Sequence, residues 1–227
     1  MTAQPPSRPD DLATAFTVLS EFLGTSNLTT QLAQAETEFA QATADDAGAV
    51  AAQHGFTQEL LDATLLVRSK VGRLNDVVHA TTIALALPHI LEPGEKVVNR
   101  PSLGAGNDPS RPYDLETDRR IAEFKVAQWK GADTMRKRGV FKDLVHLALD
   151  DSGRKAQLYV VGEQPGRFLT TSAAKGLWAL GRSSPHIRER YTERFDPNST
   201  MTVAQFRTGP AAHIEVVDLG ALMPSLA

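Results

Sequence analysis

Asp114, Glu123 and Lys125 carry the chemistry that this sequence could perform. They lie in PYDLETDRRIAEFKVAQWK, residues 112–130. An acid-rich strand candidate, YDLET, runs into a bend at Asp118-Arg119, and a second strand candidate returns from it. Asp114 and Glu123 are equidistant from that bend, so a tight hairpin opposes them. Opposed residues hold their Cβ atoms about 4.5–5.5 Å apart, and like charges placed so are destabilising unless something offsets them. A divalent cation is the natural offset, because hard cations take carboxylate oxygens and keep waters for a substrate. Alternation along the strand puts Ile121, Glu123, Lys125 and Ala127 on one face, joined by Asp114 and Glu116. Ala122, Phe124, Val126 and Gln128 take the other face. Phe124 and Val126 need the core and so resist a one-residue slip. Glu116 is expected at the solvent edge, and Asp118 at the bend for turn reasons alone.

The elements that must position these residues follow a readable order. Residues 1–10 carry three prolines and read as a disordered lead-in. From Leu12 to about Leu91 the pattern is helical, with breaks at 24–27, Ala47-Gly48 and His54-Gly55, and Thr57 as a cap. Leu60, Leu61, Leu65, Val67, Val71, Leu74, Val77 and Val78 make a broad apolar stripe there. Glu92-Pro93-Gly94 ends the helical region. Strands are expected at 96–99, 113–117 and 121–129, a helix at 134–149 and a strand at 157–161, followed by a turn at Pro165-Gly166. Helices at about 170–181 and 185–195 and a strand at 213–219 complete the chain. This order implies an α/β protein with a mixed sheet flanked by helices. The expected division is an N-terminal helical region, 1–56, and an α/β domain, 57–227.

Composition bounds the partners. The chain has 227 residues and no cysteine, so disulfides and thiolate metal sites are excluded. No apolar run is long enough for a membrane span, and the N-terminus lacks the order of a signal peptide. A cytoplasmic protein is expected. Residues 1–99 hold 5 Lys/Arg and 12 Asp/Glu, whereas residues 100–227 hold 19 and 15. A basic half beside an acidic half points weakly to a polyanionic partner for the basic half.

Asp114, a turn, and then Glu123-Phe124-Lys125 resemble the PD-(D/E)XK nuclease superfamily, the restriction-endonuclease-like fold. The resemblance covers about residues 57–162 and uses the element order helix, three strands, helix, strand. SLGAGNDPSRPYDLETDRRIAEFKVAQW with FKDLVHLAL also resembles an uncharacterised bacterial family of this type. Tyr113 stands between Pro112 and Asp114, where the superfamily places proline directly before the acid. The following helix has no Gln-x-x-x-Tyr, which argues against an exonuclease of the recombination type. The resemblance implies a magnesium-dependent endonuclease, with manganese able to substitute, acting on DNA. Asp114, Glu123 and the Phe124 carbonyl would hold the metal, and Lys125 would assist the attacking water. Lys130, Arg136, Lys137, Arg138 and Lys142 would contact phosphates, and Trp129 is a candidate for base stacking. The first helix of such folds sometimes lends the metal site a residue, commonly an acid, here Asp76 or Asn75. Asn75 and His79, one turn apart, otherwise read as satisfied buried polar groups. The N-terminal helices are candidates for a homodimer contact. The alternative is a catalytically inactive nucleic-acid-binding or assembly module on the same fold.

Overall fold

The computed structural model describes residues 11–24, 27–40, 42–103, 112–129 and 133–226. They form two compact units, Met1–Asn75 and Asp76–Ala227. The first holds α1 (Leu12–Gly24), α2 (Leu28–Phe39), α3 (Ala44–Gln53) and α4 (Gln58–Val71). Its core is small: Ala15 of α1 meets Ala63 and Val67 of α4, with Leu19 and Leu66 partly buried against them. Thr57 caps α4 as expected, its hydroxyl accepting from the Leu60 N–H at 3.1 Å.

Three helical expectations are corrected here. Ala47-Gly48 lies inside α3, whose start is fixed instead by a capping box between Thr43 and Asp46. The helical run after Thr57 is interrupted at Gly72, and α5 (Leu74–Ile90) begins anew. The apolar stripe is largely exposed at Leu61, Leu65, Leu74, Val77 and Val78. In α4 the buried positions are the smaller Ala63 and Val67, which allow α1 to approach closely.

The second unit is built on a five-stranded mixed sheet, ordered β1 (Val97–Asn99), β2 (Leu115–Thr117), β3 (Arg120–Lys125), β4 (Lys155–Val160) and β5 (Glu215–Asp218). β1, β2 and β3 form an antiparallel meander, and β3, β4 and β5 are parallel. Helix α6 (Thr134–Ala148) is the crossover between β3 and β4. After β4 come α7 (Glu163–Thr171), α8 (Gly176–Ala179), α9 (Pro185–Phe195) and α10 (Val203–Thr208).

Strand alternation divides the core. Leu115, Ala122, Phe124 and Tyr159 face Ile83, Ala86 and Ile90 of α5. Ile121, Leu158 and Val160 face α6 and the later helices, through residues such as Phe141, Leu144, Tyr191 and Phe206. A sheet covered on both faces explains why β3 is buried from Arg120 to Phe124 and β4 from Ala156 to Val160, whichever way each side chain points.

The later part of the chain departs from expectation in three places. Pro165 and Gly166 lie inside α7 rather than in a turn; a proline in the first turn loses no helical hydrogen bond. The reversal is made by Gly162, whose φ of 73° turns the chain from β4 into α7. The helix expected at 170–181 is two shorter ones, and α10 adds a helix. β3 stops at Lys125 because its partner β4 stops opposite it at Val160. Gln128 therefore lies beyond the sheet and donates to the Leu226 carbonyl at 2.8 Å.

The hairpin is clamped at its turn. The buried Thr117 hydroxyl accepts from the Arg120 N–H at 2.8 Å and donates to Glu95 Oε1 at 2.5 Å. Arg120 grips both oxygens of Glu95 and donates to Gln157 Oε1. The Arg120 and Glu95 side chains are 3% and 0% exposed. Burial would raise the Glu95 pKa, but the Arg120 guanidinium, the Glu92 N–H and the Thr117 hydroxyl bring it down to about 2. A depressed carboxylate stabilises the fold above its ordinary value of 4.5, and that contribution is lost as pH falls toward about 2. Glu95→Ala, which strands the buried guanidinium, is expected to cost about 3–5 kcal/mol by urea denaturation. Wild type should lose stability between pH 4.5 and about 2 more steeply than this variant; equal slopes would show that Glu95 is not the titrating clamp.

Candidate active site

The register expected from the sequence is the observed one. Leu115 opposes Ala122 and Glu116 opposes Ile121, and that register continued past the end of the ladder brings Asp114 toward Glu123. Asp114 lies just outside β2, and its Oδ2 accepts from the Phe124 N–H at 2.9 Å. This bond ties the carboxylate across the hairpin where the strand ladder has ended. Tyr113 has turned to the α6 side, where its ring stacks on His146 with centroids 4.7 Å apart and its hydroxyl donates to Asp150 at 3.1 Å.

Each of the three candidate catalytic side chains meets one partner from a flanking helix. His79 Nε2 of α5 is 3.5 Å from Asp114 Oδ1 and 3.3 Å from the Ser102 carbonyl. His146 Nδ1 of α6 is 3.4 Å from Glu123 Oε1. Lys125 Nζ is 2.5 Å from Asp143 Oδ2, also of α6. That ion pair is close, but Oδ2 lacks hydrogen-bond alignment with any partner. Asp143 and His146 are three residues apart and therefore neighbours on one helix face.

The electrostatics separate the two carboxylates. Burial would raise the Asp114 pKa, but the His79 hydrogen bond, the Phe124 N–H and the nearby Lys125 charge lower it. Burial raises that of Glu123, and the charge of Asp114 adds to the rise; His146 and Lys125 only partly oppose it. The Asp114 hydrogen bond raises the His79 imidazole against the opposing effect of burial. Glu123 thus carries the unfavourable charge of the pair, as expected where a cation completes a site.

The fit to such a cation is that of a hydrated ion. Among the described residues, no three His, Cys, Asp or Glu side chains group to hold a metal. Two carboxylates and the Phe124 carbonyl suit magnesium, which usually takes one or two carboxylates and retains several waters. Phe124 itself is fixed, its ring buried and stacked on Tyr159 at 4.6 Å.

The remaining candidates are placed differently. Lys130 lies outside the described residues. Arg136 pairs with Asp133, the N-cap of α6, at 3.0 Å. Arg138 lies over the Trp178 ring, 5.0 Å from its centroid. Lys142 is half-buried on α6. Glu116 accepts from Asn99 and from Arg154, which makes it a structural acid. Asp118 accepts from the Lys96 N–H at 2.9 Å, as suits a bend residue.

Asp143 and His146 are the members that sequence reasoning missed. Their signal was present: FKDLVHLAL sets two polar residues among the buried Val140, Phe141, Leu144, Val145 and Leu147. Polar groups placed so need partners, and β3 offers Glu123 and Lys125.

Two outcomes follow for the metal-free protein. Glu123→Gln should raise the melting temperature in EDTA at neutral pH. A raised carboxylate pKa stabilises the fold below its ordinary 4.5 and costs stability as pH climbs through the folded value. The gain should vanish below pH 4.5, where the wild-type carboxyl is protonated in both states; a variant less stable at neutral pH would mean that His146 neutralises the charge fully. Lys125→Met should destabilise the fold by leaving Asp143 unpaired, and Asp143→Asn added to it should recover stability. The coupling should reach only about 0.5–1 kcal/mol, since the Lys125 side chain is 36% exposed and water screens the pair. Strict additivity in denaturant midpoints would remove the pair from the account.

No protein-family model, curated protein or solved structure matches this chain.

Proposed function

We propose that this protein is a magnesium-dependent nuclease that hydrolyses phosphodiester bonds, most readily in DNA, on a restriction-endonuclease-like core. One observation carries the reading: Asp114, tied to the Phe124 N–H, sits close enough to Glu123 for its charge to raise that carboxyl, and Lys125 follows on the same strand. The meander β1–β2–β3, the crossover helix α6 and the parallel β4 supply the element order that the resemblance calls for.

Charge supports it. Three carboxylates, Asp114, Glu123 and Asp143, meet one ammonium and two imidazoles. An incoming phosphodiester is itself an anion, and this arrangement repels it until a cation is added. Asp114, Glu123 and the Phe124 carbonyl would hold that cation, which supplies Lewis-acid stabilisation of the phosphate and a more acidic water. The chain's own groups do the rest. Asp114 is kept ionised by His79 and by the Phe124 N–H, so it is ready to bind at neutral pH. Lys125 presents a compact charge that orients a water or a phosphate oxygen. Asp143 fixes where that ammonium rests, and His146 fixes the Glu123 carboxylate.

A second reading, a binding module without catalysis, is favoured by the same three contacts. Every candidate catalytic side chain already has a partner, and a closed network of this kind also serves a purely structural role.

Supercoiled plasmid and single-stranded DNA incubated with Mg²⁺, Mn²⁺ or EDTA separate the two readings. Cutting that needs the metal and falls about 100-fold or more in Asp114→Asn and Lys125→Met would support the nuclease. Cutting retained by both variants would overturn the site. Absence of cutting by folded wild type, together with no Mn²⁺ binding by calorimetry, would favour the binding module.

A further inference from the structure

Beyond the carboxyl ends of β3 and β4 lies a cleft that the proposed chemistry does not use. It is open, about 270 Å³, and lies between α6 and α7. Trp129, four residues after the end of β3, forms one wall. Gln164, Arg167, Phe168 and Thr171 form another, presented by α7 at spacings of three and four residues, and Lys137 of α6 closes it. The Trp129 and Phe168 rings are tilted, with centroids 5.9 Å apart, and Lys137 Nζ stands 5.9 Å from the Phe168 centroid. Two aromatic faces and two cations therefore meet in one cleft, with an amide from Gln164 beside them.

Its position matters as much as its lining. In open α/β sheets, ligands bind outside the carboxyl ends of the strands. Glu123 and Lys125 lie at that end of β3, and so does this cleft. Lys137 precedes Asp143, the partner of Lys125, by six positions, about 9 Å of helical rise. That is the scale of one or two nucleotides. A cavity below about 300 Å³ is too small for a drug-sized ligand but admits one planar ring.

We propose that this cleft receives an unpaired base of the nucleic-acid strand, stacked against Trp129 or Phe168, while Lys137 and Arg167 hold the adjoining phosphates. The proposal rests on the nuclease reading for the choice of nucleic acid as ligand. An aromatic face is open to a base only when that base has left its own stack, so the ligand is a single strand, a frayed end or a flap rather than an intact duplex. Gln164 can donate to or accept from the base edge, as both amide roles are available.

Binding of the full chain in EDTA tests this independently of catalysis. The probes are a fluorescein-labelled oligothymidylate, an abasic strand of equal length and a duplex of equal length. The thymidylate should bind best, with the abasic strand weaker by about tenfold through lost stacking. Lys137→Glu with Arg167→Glu should weaken the thymidylate at least tenfold and flatten the slope of log affinity against log salt by about 1.4, since each single-strand phosphate contact contributes about 0.7. In a Trp178→Phe background, which leaves Trp129 as the one indole, the thymidylate should quench tryptophan emission and the abasic strand should not. Equal affinity for strand and duplex, an unchanged double charge reversal, or no quenching would each overturn the cleft. Loss of cutting in Asp114→Asn bears on the carboxylate pair alone, so a binding result in EDTA stands or falls separately from it.

Discussion

Two carboxylates at opposed positions of a hairpin repel each other, and the second unit of this protein is arranged to hold them there anyway. The hairpin could relieve the strain by sliding one residue, but that would drive Phe124 and Ala122 out of one core layer and Ile121 out of the other. Its turn cannot relax either. Thr117 collects the N–H groups of Arg119 and Arg120, and Arg120 is locked to Glu95. Core packing and the buried ion pair at the turn together hold the register that brings Asp114 toward Glu123. Buried ion pairs often add little net stability over an apolar replacement. Here the pair holds the turn, and the packing of Ala122, Phe124 and Ile121 holds the strand.

The flanking helices then treat the two acids differently. His79 from α5 and the Phe124 N–H favour the Asp114 charge, whereas Glu123 is enclosed between β3 and α6 and pays for its ionisation. Splitting a pair in this way keeps one carboxylate ionised while the other resists ionisation. The cost falls on Glu123.

The hairpin was legible because its determinants are local. A bend, a period of two and two apolar residues that need a core give the register without knowledge of any other element. The same logic located α6, whose apolar positions recur at helical spacing. What was not legible depends on distant partners. The end of β3 at Lys125 is set by the end of β4, more than thirty positions away. The fate of Pro165 is set by a first-turn position that its own dipeptide does not reveal. The sequence predicts a satisfied buried group at His79; the imidazole is half-buried and its partner is Asp114, which no local pattern names. Asp143 and His146 were visible as polar interruptions of an apolar helix face, yet only the crossover connection shows that this face meets Glu123 and Lys125.

Helix α6 follows from that crossover. Because β3 and β4 are parallel, the chain must return along the sheet, and a right-handed crossover lays its helix over the strands it joins. The face nearest β3 carries Asp143 and His146, which hold Lys125 and Glu123. An earlier turn of the same helix contributes Lys137 to the cleft beside Trp129. A single helix therefore carries both the partners of Glu123 and Lys125 and one wall of the cleft. Its position is fixed by the buried row of Val140, Phe141, Leu144, Val145 and Leu147 against the sheet and the later helices. Thinning that row would move both sets together, so packing in the α6 layer controls the distance between the cleft and the carboxylate pair.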